Sequence, residues 1–267
     1  MFSSASSPPP KGSWKESITS TQNNVRNLLD AVASPVKKLP YEAQLGLAML
    51  GSSVLTVGGL RVYKRYVRRI PNSESVTASD LSKRRWIKGV VTSVGDADNF
   101  RLYHTPGIGW RWPLKFRWIP KTTKELKNQT LHIRMAGVDA PEAAHFGKPA
   151  QEYSQEALDW LKQRVEGKRV WCQLIHRDQY GRIVSIPMIK SFIPFRYRCV
   201  SLEMLRAGWA DVYEQSNADY GKWGKDHFLS VLAEAQRVKR GMWAKGTSGE
   251  TPSEYKKRHA AGAANKV

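Results

Sequence analysis

Cysteine and acidic residues are both scarce in this chain. Its two cysteines among 267 residues are too few for a disulfide framework and match no zinc-ligand spacing. We therefore expect reduced, buried thiols and a fold stabilised by its core. Only 23 acidic residues stand against 43 Lys and Arg, which gives a formal net charge of +20. This excludes a charge-balanced protein and predicts a polyanionic partner, either nucleic acid or an anionic lipid surface.

The N-terminal residues also lack a recognisable secretory signal. The first stretch, MFSSASSPPPKG, has no compact apolar run. Its Ser and Pro content predicts a disordered leader over residues 1–42. Few acids suit a mitochondrial transit peptide, but that class is richer in Arg and more clearly amphipathic.

Residues 43–60 are the longest uncharged stretch, AQLGLAMLGSSVLTVGGL. As an α-helix they would extend roughly 27 Å, close to the thickness of a bilayer core. Arg, Lys and Tyr residues follow at once, as at a membrane interface. We predict a single-pass transmembrane helix here and a basic, polar tether over residues 61–84. The alternative is a Gly-rich core or surface helix of a soluble protein.

The segment 85–244 has the pattern of one folded domain. The predicted elements follow one another in the order βββαββαα. They are three strands with β-branched or alternating residues, one helix, two further strands and two helices. A five-stranded OB barrel with packed helices fits this order, so the expected class is mainly β with α (α+β). Residues 103–130 form a long basic and aromatic hairpin insertion. Residues 245–267 read as a disordered tail.

The segment HIRMAGVDAPE brings an arginine and two acids close together. Arg134 lies in a predicted strand, and Asp139 and Glu142 lie in the turn after it. Asp98, in the turn of the preceding hairpin, can meet Asp139 across neighbouring strands. Two hard oxygen donors invite a divalent cation, and Ca²⁺ tolerates a site with few protein carboxylates.

A second arginine, Arg182, follows the turn in RDQYGR. Phosphodiester hydrolysis gathers negative charge on the attacked phosphate, and two guanidinium groups can bind its oxygens with bidentate geometry. Glu142 is then the acid left to orient or deprotonate a water. These residues together favour a metal-dependent nuclease.

The strings GDADNFRL, IRMAGVDAPE, DQYGR, MLRAGWADVY and AEAQRVKRGMW resemble the staphylococcal nuclease (thermonuclease) family in order and spacing. The resemblance implies an OB fold and calcium-dependent cleavage of DNA and RNA. It assigns Asp98 and Asp139 to the calcium site and Glu142 to water activation or positioning. It assigns Arg134 and Arg182 to phosphate binding.

The chain departs from that family pattern in two places. Asp96-Ala97-Asp98-Asn99 replaces the common Asp-Gly-Asp-Thr turn, which could alter metal affinity. The insertion at 103–130 interleaves Trp with Arg and Lys. Such a segment could stack on bases, as single-strand binders do, or could face lipid or pack on itself.

An anchor, a basic tether and this insertion are together similar to the fungal membrane-bound probable endonucleases of the long-chronological-lifespan family. That resemblance implies a mitochondrial membrane, with the endoplasmic reticulum membrane as the alternative. A rival function is a catalytically silent OB module that binds nucleic acid beside a membrane. Retention of both arginines and all three acids favours the enzyme, a hydrolase that acts on phosphodiester bonds. We expect a monomer.

Overall fold

The computed structural model describes residues 19–27, 31, 35, 39–144, 149–191, 193, 195–215, 217–246, 251–256 and 258. Most of the predicted leader therefore lies outside the described residues. The chain divides into two compact units, Met1–Arg65 and Tyr66–Val267.

Most described residues of the first unit are helical. Helix α1 covers residues 19–27, and helix α2 (Tyr41–Val62) continues through a π-helical turn to Val67. The whole stretch Tyr41–Val67 is long and apolar enough to cross a membrane, and none of its most apolar part is buried against protein. The hydroxyls of Ser53 and Thr56 donate to backbone carbonyls four residues earlier, at 2.7 and 2.8 Å. These two hydroxyls are therefore satisfied within the helix.

The second unit is built on a closed five-stranded barrel, which confirms the predicted OB-type architecture. The strands of this unit in chain order are β1 (Trp86–Asp96), β2 (Asn99–His104), β3 (Leu131–Met135), β4 (Val138–Asp139), β5 (Arg169–Arg177), β6 (Ile183–Lys190), β7 (Tyr197–Cys199) and β8 (Asp211–Val212). The barrel order is β3-β2-β1-β5-β6, and a parallel pairing of β3 with β6 closes it.

Alternation along the strands decides which side chains reach the core. In β3, Leu131, Ile133 and Met135 are buried, whereas His132 and Arg134 point away from the core. The helices are α3 (Ala78–Ser82), α4 (Thr123–Leu126), α5 (Ser154–Val165), α6 (Val200–Ala207) and α7 (Gly224–Arg237). Apolar side chains at helical spacing, including Leu161 and Phe228, complete the core.

Residues 66–84 pack on the barrel in place of the tether predicted for 61–84. Ile70 and Val76 belong to the hydrophobic core, and α3 begins with a capping box between Thr77 and Asp80. The packed unit therefore begins at Tyr66, whereas the sequence analysis set the domain boundary at residue 85. Two buried apolar side chains were too few to show as a pattern among the Ser and Thr of this stretch.

The C-terminal segment also differs from the disordered tail predicted for 245–267. Residues 252–256 form a turn of helix, α8, which Thr251 and Glu254 cap reciprocally. Pro252 and Tyr255 are buried, and the Tyr255 hydroxyl donates to the carbonyl of Pro149. The remaining predicted tail residues, apart from 245, 246 and 258, lie outside the described residues.

Candidate active site

The turn between β1 and β2 and the end of β3 bring Arg134 beside two carboxylates. Asn99 pairs with Arg134 across β2 and β3, and the Met135 amide donates to the Asp98 carbonyl at 2.9 Å. Arg134 Nη1 lies 2.5 Å from Asp98 Oδ2, and its Nη2 lies 3.3 Å from Asp139 Oδ1. One guanidinium therefore joins the two aspartates that the sequence analysis assigned to a cation.

Gly137 allows the chain to turn back sharply after β3. Its φ is +74°, and a Cβ atom there would lie 2.6 Å from the Phe228 ring. The turn starts β4, in which Asp139 is buried and faces Arg134. A tight glycine thus brings Asp139 back towards the strand that carries Arg134.

The unusual Asp96-Ala97-Asp98-Asn99 turn is tied together by its asparagine. The Asn99 side-chain amide donates to Asp96 Oδ2 at 3.1 Å and to Asp98 Oδ1 at 3.3 Å. Ala97 is buried, and no hydroxyl is needed to hold the two carboxylates in this turn. In this chain, Asn99 therefore holds Asp98 in the turn through its side-chain amide.

Arg134 remains charged in this environment. Burial by itself would lower the pKa of its guanidinium, but the carboxylates of Asp98 and Asp139 outweigh burial and raise that pKa. The ring of Tyr213 lies 5.4 Å from the guanidinium carbon, close enough for a cation–π contact. The group is therefore a fixed positive charge between two anions.

Glu142 lies at the edge of this cluster and is more accessible than the aspartates. Gln151 makes two hydrogen bonds with the backbone of Glu142. The backbone amide of Gln151 donates to the Glu142 carbonyl at 2.9 Å, and the side-chain oxygen of Gln151 accepts from the Glu142 backbone amide at 3.3 Å. About a third of the Glu142 side chain is exposed, against 3% for Asp139. Glu142 is therefore the acid that solvent water reaches most easily.

Lys256, in α8, is a member of the site that the sequence analysis missed. Its ammonium lies 2.5 Å from Asp139 Oδ1 and 2.8 Å from Glu142 Oε1. Burial alone would lower the pKa of Lys256, but Asp139, Asp98 and Glu142 outweigh it and raise that pKa. The residue lies 117 positions after Asp139 in a polar stretch, so no local pattern indicated it.

Arg182 is held by Asp178, a carboxylate outside the acid cluster. It directly precedes β6, whose Ile183 pairs with Ile133 in β3. Its Nε lies 2.6 Å from Asp178 Oδ2, and Asp178 Oδ1 accepts from the Arg182 amide at 2.9 Å. Burial alone would raise the pKa of Asp178, but these hydrogen bonds outweigh it and lower that pKa. Asp178 therefore fixes where the second guanidinium points.

Asp211 is a further acid that the sequence analysis did not single out. It pairs with Asp139 across β4 and β8, and burial raises the pKa of its carboxyl to about 6, with the charge of Asp139 adding to the effect. The only signal in the sequence was its place in the string MLRAGWADVY. It adds to the negative potential around Asp139.

Asp98 and Asp139 are the residues of this site that could hold a divalent cation. Within the ranges that the structure describes, no three His, Cys, Asp or Glu side chains converge as a ready-made metal cage. A cation held by Asp98 and Asp139 must therefore complete its shell with carbonyls, waters or substrate oxygens, which calcium accepts. The ammonium of Lys256 already occupies a position between Asp139 and Glu142, so this cluster attracts a cation.

Comparisons with known proteins identify relatives of this chain. The family described as "Staphylococcal nuclease homologue" matches residues 132–245. The chain is 56% identical over 227 residues to "Probable endonuclease LCL3" of Schizophyllum commune, covering 84% of this chain and 78% of that protein. It is 44% identical over 235 residues to the protein of the same name from Candida albicans, covering 86% and 97% of the two chains. The chain therefore belongs to the staphylococcal nuclease homologue family, a nuclease family, which confirms both the resemblance and the hydrolase class predicted from its sequence.

Proposed function

We propose that this protein is a membrane-anchored, calcium-dependent endonuclease that hydrolyses phosphodiester bonds of DNA or RNA. Its relatives from Schizophyllum commune and Candida albicans carry the name "Probable endonuclease LCL3". The observation that carries the proposal is the single guanidinium of Arg134 between Asp98 and Asp139, with Glu142 joined to Asp139 through Lys256. A catalytically silent binding module has no need for such a concentration of buried charge.

Asp98 and Asp139 are the residues that would hold calcium. When bound, the ion supplies positive charge that polarises a phosphate oxygen. The two aspartates are nearly inaccessible to solvent. Their carboxylates therefore keep one orientation instead of exchanging among several in contact with water. Arg134 keeps them apart and neutralises part of their mutual repulsion.

Arg134 and Arg182 would bind the phosphate oxygens and stabilise charge as it develops. Both are planar and permanently charged, and each is oriented by a carboxylate in this structure. Glu142 orients the attacking water or accepts its proton, because it is the accessible acid of the cluster. We expect the enzyme to be a monomer.

The membrane anchor in this proposal is the helix from Tyr41 to Val67. Its length and composition suit a single span, and its Ser and Thr hydroxyls are hydrogen-bonded within the helix. The basic residues that follow favour retention of the nuclease unit on the side where positive charge stays. A mitochondrial membrane is the location that the family resemblance supports.

Cleavage assays on the full chain in detergent test this function. Labelled single-stranded DNA, duplex DNA and RNA are incubated with calcium, with magnesium and with chelator. Glu142→Gln is expected to reduce calcium-dependent cleavage by about 100-fold or more, as does removal of one preorganised group in other active sites. Asp139→Asn is expected to abolish both calcium binding and cleavage.

Matched substitutions outside the cluster control for changes in folding. Glu152→Gln removes a surface acid that pairs with Lys245, and Asp159→Asn removes an exposed acid of α5, so neither is expected to alter cleavage. Binding of nucleic acid without cleavage in every metal, unchanged by Glu142→Gln, would overturn the proposal. That result would establish the tethered binding module instead.

A further inference from the structure

The end of the barrel opposite the acid cluster carries exposed apolar and aromatic side chains. In the insertion after β2, Trp112 is 87% exposed and Trp118 is 68% exposed. Ile108, Leu114 and Phe116 of the same loop are also exposed. Soluble surfaces rarely present so many large apolar groups in one short segment, and such groups indicate a contact with another phase or partner.

A second loop presents the same kind of surface at the same end of the barrel. Between β6 and β7, Phe195 is 95% exposed, and Ile193 and Tyr197 are about half exposed. Arg111 of the insertion, Arg169 of β5 and Lys190 of β6 line one groove at this end of the barrel. We call the two loops and this groove the basic-aromatic end.

The charge of the basic-aromatic end is of one sign over a long stretch of chain. From Asn99 to Lys124 the sequence contains no Asp or Glu, whereas Arg111, Lys115 and Arg117 alternate with the exposed apolar residues. Burial first, and then the neighbouring charge of Arg111, lower the pKa of Arg169. Cations that crowd together in this way are complementary to an anionic surface.

The base of the insertion is held by contacts of Trp110, whereas its tip is exposed. Trp110 donates from its indole nitrogen to the Pro106 carbonyl at 2.7 Å, and the Arg117 guanidinium lies 4.8 Å from the Trp110 ring. Trp110 packs edge-on against Tyr103, with ring centroids 5.9 Å apart. Packing within the insertion therefore accounts for Trp110 but not for the exposed Trp112 and Trp118.

The insertion lies beside the point where the anchor joins this unit. Gly107 has a φ of +65°, and a Cβ atom there would lie 2.6 Å from the Tyr66 carbonyl oxygen. Tyr66 belongs to the last turn of the candidate span that ends at Val67. Gly107, at the base of the insertion, therefore packs against Tyr66, the first residue of this unit and part of the candidate span.

The same location argues against a role in holding substrate. The insertion leaves β2 at His104, and β2 begins at Asn99, next to Asp98. Five residue steps of about 3.4 Å put the start of the insertion about 17 Å along the strand from the acid cluster. A strand of nucleic acid in the active site would have to continue well beyond the scissile bond to reach it.

We propose that the basic-aromatic end docks on the surface of the bilayer, with its Trp, Phe and Leu side chains at the interface and its Arg and Lys side chains on anionic lipid headgroups. Interfacial Trp and basic residues near anionic lipid are the chemistry that such surfaces use. This inference rests on the membrane anchoring proposed above, and it adds a second contact that fixes the orientation of the nuclease unit. The acid cluster then faces away from the membrane.

An environment-sensitive fluorophore on the full chain in lipid nanodiscs tests this contact. Leu114→Cys places the probe in the insertion, and Gln179→Cys places it in the β5–β6 turn at the other end of those strands. The native Cys172 and Cys199 are buried, with thiol pKa values raised by burial to about 12 and about 11, so they react slowly. Discs contain phosphatidylcholine alone or with phosphatidylserine, each with or without brominated acyl chains.

The probe at 114 is expected to shift to shorter wavelength and to be quenched by brominated chains about twofold more strongly than the probe at 179. Phosphatidylserine should strengthen this effect, and Arg111→Gln with Lys115→Gln should remove the strengthening. If the chain co-purifies with discs but the probes at 114 and 179 are quenched equally, docking of the basic-aromatic end is overturned and the membrane anchoring is not. A response at 114 to single-stranded DNA in chelator, but not to brominated lipid, would assign the surface to nucleic acid. Failure of the chain to co-purify with discs would overturn the anchoring and this inference with it.

Discussion

Replacement of Lys256 by glutamine is expected to tighten calcium binding at the candidate active site. The Lys256 ammonium forms ion pairs with Asp139 at 2.5 Å and with Glu142 at 2.8 Å. A cation that binds Asp139 must displace this ammonium or share the carboxylate with it. Glutamine keeps much of the side-chain length and a hydrogen-bond donor but removes the charge.

The size of the effect follows from the burial of the two ion pairs. An exposed pair contributes about 0.2–1 kcal/mol, and breaking a buried pair on one side costs about 3–5 kcal/mol. The Lys256 side chain is 32% exposed, between those limits. Two pairs at about 0.7–1.4 kcal/mol each give about 1.4–2.8 kcal/mol, which corresponds to calcium binding about 10-fold to 100-fold tighter.

Calorimetric titration of the full chain in detergent with calcium measures this change without reference to cleavage. Lys245→Gln is the matched control, because Lys245 forms a surface pair with Glu152 at 2.7 Å and its side chain is 75% exposed. This control should change calcium affinity by less than about twofold. Half-maximal cleavage should move to lower calcium in Lys256→Gln and stay in place in Lys245→Gln.

Calcium affinity that is unchanged in Lys256→Gln would refute competition between the ammonium and the metal. Weaker affinity would mean that Lys256 instead holds Asp139 and Glu142 in the geometry that calcium requires. Tightening of similar size in the Lys245 control would show that the effect comes from net charge at long range and not from the site.

Three further substitutions test other parts of the structure. Asp178→Asn weakens the hydrogen bond that orients Arg182, so kcat should fall about 10-fold with KM nearly unchanged. Asp178→Glu should restore part of this loss, and an equal loss in the Glu variant would contradict a positioning role. Burial lowers the pKa of His104 to about 3, below its unfolded value of about 6.5. The free energy of unfolding should therefore fall as pH drops from about 6.5 towards 3, by about 1.4 kcal/mol per pH unit. Chemical denaturation across that window should show a shallower pH dependence for His104→Asn, and an unchanged slope would assign the titration to other groups. Gly208 has a φ of +78° and lies against a backbone carbonyl, so Gly208→Ala should lower the free energy of unfolding by about 2–4 kcal/mol. Gly167 has a φ of +69° but lies in open space, so Gly167→Ala should lower it by only about 1 kcal/mol. Equal losses would mean that φ alone matters.

The part of the site that was predictable from sequence is the part that depends on local geometry. Arg134, Asp139 and Glu142 lie within nine residues, and strand alternation followed by a Gly turn limits where their side chains can point. Asp98 was predictable because adjacent antiparallel strands bring a hairpin turn next to the end of the third strand. These inferences needed no knowledge of packing beyond the neighbouring strand.

Other members of the cluster could not be predicted because their partners are distant in the chain. Lys256 follows Glu142 by more than a hundred residues, in a stretch whose composition suggested disorder. Two buried side chains, Pro252 and Tyr255, and one capping box hold that turn against the folded unit. Composition averages over a window, so one buried tyrosine among charged residues leaves no visible signal.

The sequence by itself determined the order of the five barrel strands, the periodicities of the main helices, the long apolar helix and the residue types of the candidate active site. Each of these depends on spacing along the chain, and backbone geometry translates spacing directly into faces and turns. Only the tertiary structure decided that residues 66–84 join the core, that Asp178 holds Arg182, that Lys256 bridges Asp139 and Glu142, and that the insertion projects beside Tyr66 at the end opposite the acids. Those outcomes depend on which surfaces meet when the barrel closes, and barrel closure joins β3 to β6 across about fifty residues of intervening chain.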